Sequence, residues 1–236
     1  MEGDFTSGVA WLTSEPERWG VRVCVRRRWR RWRGGATARE HVEAVMRRVR
    51  REGFLPGDVK RHAGLNSALP IGFGQTNAQP STVADMMELL DVPTGARVLD
   101  VGSGSGWSTA ILAELVGPAG EVHGVELVPE LVERGRANLE AFDVPWAEIH
   151  PAEPGVLGLP GLAPFDRILV SAMADSLPDG LIAQLAPGGI MVAPADGEMY
   201  RVRRVRGAGA DGADDGTGAE DITITAHGAY RFVPLL

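Results

Sequence analysis

The sequence is almost without cysteine and has no long apolar run. Cys24 is the single cysteine among 236 residues, which excludes an intrachain disulfide and with it a disulfide-stapled secreted scaffold. No apolar run reaches the roughly 20 residues that a membrane-spanning helix needs. The first residues also lack the order of a signal peptide, in which a basic stretch precedes an apolar one. We therefore expect a cytoplasmic protein.

Lysine is equally scarce, since Lys60 is its only copy and the other basic residues are arginines. The formal net charge is −7 at pH 7, so the chain as a whole offers no positive field to nucleic acid or to an anionic membrane. A hydrophobic content of 44% suits one globular domain with a sizeable core. We expect a monomer, with neither nucleic acid nor a membrane as its partner.

Composition divides the chain near residue 36. Residues 1–36 hold four of the six tryptophans and the run RRRWRRWR at 26–33. Arginine interleaved with aromatic residues suits nucleic acid or an anionic membrane. The run has no clear apolar face, however, and we interpret residues 1–36 as an N-terminal extension, either disordered or an upstream start. The domain proper is then residues 37–236, with N-terminal helices and a glycine-rich loop in 37–95 and an α/β core in 96–236.

Hydrophobic periodicity predicts strands alternating with helices from residue 97 onward. Strands are predicted at 97–101, 121–125, 147–150, 167–171, 190–193, 199–205 and 222–232, and helices at 37–51, 81–90, 106–115, 129–142 and 178–185. The alternation indicates a mainly parallel sheet of seven strands. The last two strands have no helix between them, which indicates an antiparallel C-terminal hairpin. Their connector, 207–220, is low in complexity and is expected to be disordered.

The most informative segment joins the first strand of that core to its helix. Asp100 lies at the end of the strand, and glycines follow at positions 102, 104 and 106. Such a turn lets a ligand approach the backbone, and the following helix offers free N–H groups. Dinucleotide-binding folds place the third glycine one residue later, where this chain has Trp107. The tighter spacing after an acid resembles the loop of S-adenosylmethionine-dependent methyltransferases.

Acidic groups beside this loop suit such a cofactor. S-adenosylmethionine carries a cationic sulfonium and an ammonium group, so Asp100 is predicted to attract it. Glu126, 20 residues beyond Gly106, is predicted to accept hydrogen bonds from the ribose hydroxyls. The predicted cofactor-binding residues of this region are Asp100, Gly102, Ser103, Gly104, Gly106 and Glu126.

Six segments narrow the resemblance to one family. In chain order they are ALPIGFGQTNAQP, DVGSGSG, GVELVPEL, APFDRILVSA, LAPGGIMVAP and YRFVPL. From about residue 40 onward the chain resembles the protein-L-isoaspartate O-methyltransferase family, and its GQTxxQP loop and FVPL ending are not general methyltransferase features. The resemblance implies a Rossmann-like methyltransferase fold and S-adenosylmethionine as the methyl donor. It also implies the free α-carboxylate of an L-isoaspartyl residue, in a protein or peptide, as the acceptor.

The resemblance also implies a set of substrate-side residues. These are Gln75, Thr76, Asn77 and Ser171. A carboxylate acceptor is ionised at pH 7, so it needs positioning and partial desolvation but no general base. We accordingly interpret the five histidines as structural or solvated, and we predict no metal site.

Two positions depart from the family pattern. Ala78 stands where the family has a serine beside the substrate carboxylate, which removes one hydrogen bond to an anion and leaves no residue with a certain catalytic role. Glu153 lies one position before the place of the family acid near the adenine, and it is predicted to take over that role.

The Ala78 departure keeps two alternatives open. Relatives of the family methylate one aspartate of a ribosomally made peptide, which leads to an aspartimide. Alternatively, the chain binds S-adenosylmethionine without turnover and acts as an adaptor.

Overall fold

Nine strands and five α-helices form the described part of the protein, residues 37–205 and 222–235 of a computed structural model. In chain order they are α1 (Ala38–Arg48), β1 (Leu69–Gly72), β2 (Gln75–Asn77), α2 (Pro80–Leu90), β3 (Arg97–Val101), α3 (Trp107–Val116), β4 (Glu121–Glu126), α4 (Pro129–Phe142), β5 (Ala147–Pro151), β6 (Phe165–Val170), α5 (Asp179–Ile182), β7 (Leu185–Ala195), β8 (Glu198–Arg204) and β9 (Ile222–Ala229). The predictions made for 1–36 and for the connector 207–220 lie outside the described residues.

Seven of these strands form one sheet in the order β5-β4-β3-β6-β7-β8-β9. Strands β5 to β7 of that order pair in parallel, whereas β8 and β9 are antiparallel to their neighbours. The chain runs outward from β3 to β5 and then returns to β6 on the other side of β3. In an open α/β sheet, such a reversal creates a crevice at the carboxyl ends of the central strands. The predicted seven-stranded, mainly parallel sheet with an antiparallel C-terminal hairpin is confirmed.

The core lies on both faces of the central strands. Val98 and Leu99 of β3 are fully buried, and they belong to two different hydrophobic clusters because successive strand residues face opposite ways. Helix α3 is buried over most of its surface, and its Ile111 and Leu112 are fully buried. Burying such a side chain contributes roughly 1.5–3 kcal/mol. The sheet and α3 therefore form a rigid support for the loop that joins them.

Helix α1 begins as predicted but ends earlier. Thr37 and Glu40 form the expected capping box, in which each side chain binds the other residue's backbone N–H. The helix ends at Arg48, and residues Arg51–Phe54 form a separate 3₁₀ turn. The prediction of a helix to residue 51 was wrong because the Arg51 side chain turns inward, to acceptors described below.

Two further elements differ from the prediction. Helix α5 covers four residues because Leu185 already pairs with Phe165 at the start of a long β7. The glycine-rich segment before α2, predicted as a loop, forms the short hairpin β1–β2. No helix in the described ranges is both long and apolar enough to cross a membrane.

Candidate functional site

The loop between β3 and α3 depends on glycine. Gly102, Gly104 and Gly106 have φ values of 79°, 55° and 88°, in the left-handed region that side chains rarely tolerate. A Cβ atom on Gly106 would lie 3.3 Å from the carbonyl oxygen of Gly135 in α4. Glycine therefore permits both the turn and the close packing of the loop against the neighbouring helix.

Glu126 at the end of β4 supports one side of this loop. Its Oε2 accepts a hydrogen bond of 2.8 Å from the Gly104 N–H, and its Oε1 accepts one of 2.9 Å from the Val128 N–H. The residue is only 7% exposed. Each carboxylate oxygen has two lone pairs, so both oxygens retain capacity for a further donor, such as a hydroxyl.

Asp100 lies fully buried under the same loop. Its Oδ2 accepts hydrogen bonds from the hydroxyls of Ser108 and Thr109, both at 2.7 Å, which fixes the first turn of α3. Burial raises the pKa of Asp100 to about 6, the two hydroxyls oppose this, and the charge of Glu126 adds to it. The sequence did not reveal the two hydroxyl partners. The attraction of Asp100 for a cationic cofactor stays a prediction.

Buried polar atoms that lack a protein partner concentrate at this loop. Within the described ranges they include Oδ1 of Asp100, Oγ of Ser103 and Oγ of Ser105. Buried polar groups in proteins are normally hydrogen-bonded. A polar ligand at the loop, with water that it orders, would complete their bonding. The residues present therefore fit a cofactor with hydroxyl and cationic groups.

A second feature is a cleft of about 460 Å³ between the hairpin region and the C-terminal segment. We call residues 69–80 the acceptor loop and residues 229–235 the C-terminal wall. The cleft is lined by Ala68, Thr76, Ala78, Gln79, Ser81, Thr82, Asp85, Ser171 and residues 229–233. Ser171 directly follows β6, so the cleft opens at the carboxyl edge of the sheet, as the strand order requires.

The C-terminal wall is attached to the segment after β6. The Met173 N–H donates to the Val233 carbonyl and the Leu235 N–H donates to the Met173 carbonyl, both at 2.7 Å. These two bonds explain why the FVPL sequence lies at the site although it is distant along the chain.

One acid in the cleft is bonded to two neighbouring side chains. Asp85 forms an ion pair with Arg39 and accepts a hydrogen bond of 3.0 Å from the Tyr230 hydroxyl. Burial and the charge of Asp85 raise the pKa of Tyr230 to about 12, so this hydroxyl keeps its proton at neutral pH.

Arg51 holds the acceptor loop from inside the protein, a role that the sequence analysis missed. Its Nε donates to Oδ1 of Asn77 at 2.7 Å, and its Nη2 donates to the carbonyl oxygens of Ser67, Asn77 and Ala78 at 2.9 to 3.1 Å. The guanidinium also lies 5.3 Å from the centre of the Trp107 ring. Burial lowers the pKa of Arg51 to about 10. An arginine at the end of an amphipathic helix is usually solvated, and no sequence pattern indicated otherwise.

The structure places only two of the four predicted substrate-side residues at the cleft. Thr76 and Ser171 line the cleft. Asn77 does not, because its side chain is buried and bonded to Arg51. Gln75 lies in β2, half-buried and outside the cleft lining. The acceptor side is therefore smaller than the motif alone indicated.

Residues 29–235 match the family model described as protein-L-isoaspartate(D-aspartate) O-methyltransferase (PCMT). The chain belongs to this family. The resemblance on which the sequence analysis relied is thereby confirmed.

Individual PCMT relatives agree with the family model. The protein-L-isoaspartate O-methyltransferase of Anaeromyxobacter dehalogenans strain 2CP-1 is 48% identical over 184 residues, which cover 77% of this chain and 82% of the relative. That of Ignicoccus hospitalis is 42% identical over 164 residues, covering 70% and 77%. A candidate member from Plasmodium falciparum, solved in complex with S-adenosyl-L-homocysteine, has a TM-score of 0.67 at 24% identity and covers 83% of this chain and 89% of its own. This last likeness supports the fold.

For a PCMT family member, Ala78 is the notable departure in the cleft. Three residues further along, Ser81 lines the same cleft, and its Oγ accepts a hydrogen bond of 2.7 Å from Nε2 of Gln79. The Ser81 backbone N–H donates to Oδ1 of Asn66 at 3.0 Å. Because the Ser81 oxygen accepts this bond, its own proton can point toward a bound anion.

Glu153 follows β5 on the cofactor side and is exposed. Its carbonyl oxygen accepts a bond from the Val156 N–H, which closes a turn that includes Gly155. The neighbouring Ala152 N–H donates to the Glu126 carbonyl at 2.9 Å, so the segment lies next to Glu126. A contact of Glu153 with the adenine stays a prediction.

Proposed function

We propose that this chain is an S-adenosylmethionine-dependent carboxyl O-methyltransferase that acts on L-isoaspartyl residues of proteins or peptides. The observation that carries the proposal is the family match over residues 29–235, together with relatives above 40% identity that are named for this activity. We place the reaction in the cytoplasm and expect the enzyme to work as a monomer.

The cofactor side is assigned to the loop after β3. When bound, S-adenosylmethionine supplies a methyl group that is activated by its positive sulfur. We assign Gly102, Ser103, Gly104 and Gly106 to close backbone contact with it. Glu126 would accept the ribose hydroxyls through oxygens that the Gly104 and Val128 N–H groups already orient. Asp100 would act mainly by holding the loop and by its negative charge, and Glu153 would contact the adenine.

The acceptor side is assigned to the cleft. The isoaspartyl carboxylate is already ionised, so the protein has only to orient it and remove part of its water. Ser171, Thr76 and the Ser81 hydroxyl are the polar groups we assign to this task, and Arg231 adds a cationic side chain at the cleft wall. No histidine lines the cleft in the described part of the chain, which agrees with a reaction that needs no general base.

The test is methyl transfer from labelled S-adenosylmethionine to two matched peptides, one with L-isoaspartate and one with L-aspartate. We expect base-labile label on the isoaspartyl peptide alone. Heat-denatured enzyme and a reaction without peptide are the controls. Label on the aspartyl peptide would contradict the substrate assignment. Label on neither peptide, with cofactor binding confirmed by calorimetry, would favour a dedicated peptide substrate or an adaptor.

A further inference from the structure

Two histidines and a glutamate meet on β4 and β5, away from the cleft. His123, His150 and Glu148 each offer a ligand atom, and these atoms lie within 4.8 Å of one another. None of the three residues lines the cleft between the acceptor loop and the C-terminal wall. The cluster has no part in the methyl transfer proposed above.

The parallel register of β4 and β5 creates this cluster. His123 is paired with Glu148, and His150 follows two residues later on the same strand. Because side chains alternate between the faces of a strand, all three project from the same face of the sheet. The ligands come from two strands separated by a helix, so no short sequence motif contains all three.

The spacing between the nitrogens of the two histidines suits a tetrahedral metal ion. Nδ1 of His123 lies 3.2 Å from Nε2 of His150, and this Nε2 lies 3.6 Å from Oε2 of Glu148. Two nitrogens bound to zinc at about 2.0–2.1 Å in tetrahedral geometry are roughly 3.3 Å apart. The two rings therefore already have the separation that a shared zinc ion would impose.

The outer partners of His123 fix its ring in the required orientation. Its Nε2 lies 3.2 Å from Oε2 of Glu121, and the ring contacts the edge of Phe165 at a centroid distance of 6.1 Å. A proton on Nε2, directed at Glu121, leaves Nδ1 unprotonated and facing His150. In protein zinc sites, a ligating histidine usually donates its other N–H to an outer partner such as a carboxylate.

Charge and access also suit a divalent cation. Glu148 and Glu121 bring two negative charges, and Nε of Arg97 lies 2.9 Å from Oε1 of Glu121 as an ion pair, not as an aligned hydrogen bond. The side chain of His123 is 11% exposed, that of His150 is 27% exposed and that of Glu148 is 69% exposed. Solvent therefore reaches the cluster from the Glu148 side, which leaves room for a water ligand.

We propose that His123, His150 and Glu148 form a zinc site, with water in the fourth position. The ion would join β4 to the edge strand β5. It would tie the outermost parallel strand to the body of the sheet.

The experiment uses the full chain without an affinity tag, stripped with a chelator, in a Cys24→Ser background so that the single thiol does not contribute. Zinc is titrated in competition with a chromophoric chelator. We expect one equivalent to bind with micromolar or tighter affinity. His150→Ala and Glu148→Gln should weaken binding at least tenfold, whereas His62→Ala, at an exposed histidine elsewhere, should leave it unchanged. The partly exposed ligands are chosen because replacement of the buried His123 endangers folding.

Thermal unfolding gives a second readout, since a ligand that binds only the folded state raises its Tm. Zinc should raise the Tm of the parent chain and leave that of His150→Ala unchanged. Binding weaker than micromolar, or equal zinc affinity of His150→Ala and His62→Ala, would overturn the proposal. The contact between the two rings would then be a hydrogen bond.

Discussion

The loop after β3 and the acceptor loop both contain glycines with positive φ, but opposite charges support them. Under the first lie the carboxylates of Asp100 and Glu126. Under the second lies the guanidinium of Arg51, which binds the carbonyl of Ala78 at the cleft. Enzymes stabilise reacting groups mainly with charges and dipoles that are already fixed in position before the reactants bind. An acidic support suits a cationic cofactor, and a basic support suits an anionic acceptor.

The comparison also shows where this chain keeps its family pattern and where it departs from it. The cofactor loop has every predicted glycine, and its flanking acids are bonded into place. On the acceptor side, Ala78 stands where the family resemblance implies a serine. Substrate preference is therefore the property in which we expect this chain to differ from its relatives.

Glu126→Ala is expected to have the largest effect on the cofactor loop. It removes the proposed ribose acceptor and leaves the Gly104 N–H without its partner. Hydrogen bonds to charged groups are worth about 1.5–3 kcal/mol, so we expect affinity for S-adenosylmethionine to fall roughly a hundredfold in calorimetry. Glu130→Ala, which removes the same charge at an exposed position, should have little effect. Equal affinities of the two variants would contradict the assignment of Glu126.

Arg51→Met tests the acceptor side separately. It removes the donor to five carbonyl oxygens, those of Ala63, Leu65, Ser67, Asn77 and Ala78, and to Oδ1 of Asn77. We expect kcat/KM for the isoaspartyl peptide to fall about thirtyfold and stability to fall by about 3 kcal/mol, as unsatisfied buried acceptors predict. Affinity for S-adenosylmethionine should change less than twofold. Arg50→Met, at the exposed neighbouring residue, is the control, and a similar loss in both variants would remove the special role of Arg51.

Asp100→Asn separates stability from cofactor attraction. The ordinary pKa of 3.8 rises to about 6 in the folded protein, so the folded state holds the proton more tightly than the unfolded state does. The stability that this group contributes is complete below pH 4 and is lost as the pH rises through about 6. At pH 8 the variant should be more stable than the parent by up to about 3 kcal/mol, and below about pH 3 the two should be nearly equal.

The same variant should bind S-adenosylmethionine about tenfold less tightly, because a negative charge beside the loop is lost. Thermal unfolding across this pH range and calorimetry at pH 8 measure the two effects. A difference in Tm that does not vary with pH would contradict the raised pKa. An unchanged affinity for S-adenosylmethionine would mean that Asp100 fixes the start of α3 but does not attract the cofactor.

Ala78→Ser is expected to have the smallest effect, and it tests the acceptor loop by adding a polar group instead of removing one. It adds a hydroxyl at a residue that lines the cleft. One additional hydrogen bond to the acceptor is worth about 1 kcal/mol, so kcat/KM for the isoaspartyl peptide should rise about fivefold. Ala68→Ser, also in the cleft lining, serves as the control. A decrease in kcat/KM would indicate that this enzyme has adapted to a different acceptor.

Much of the fold could be predicted because strong periodic patterns decide it. The bounds of β3 and α4 match the prediction, since a short buried run and a long amphipathic run have few alternative interpretations. The length of α5 could not be predicted, because the pairing of Leu185 with Phe165 depends on the position of a distant strand. Tertiary contacts of this kind override local preference.

The residues of the candidate site show the same division, between those that a local sequence pattern predicts and those that only a tertiary contact determines. The position of Asp100 and Glu126 beside the loop could be predicted because both lie near the ends of strands next to a recognisable motif. Arg51 was missed because its acceptors are mainly backbone carbonyls, which no sequence pattern marks. The pairing of His123 with His150 was missed for a related reason, since only the register of two parallel strands brings them together.

The attachment of Met173 to the C-terminal wall has a consequence during synthesis. The ribosome makes β3, β4 and their loops long before residues 229–235 leave its exit tunnel. The nascent chain can thus assemble its cofactor loop early, whereas the cleft gains its C-terminal wall only after all seven strands of the sheet have been made. We therefore expect the cofactor loop to form before the cleft is able to hold an acceptor.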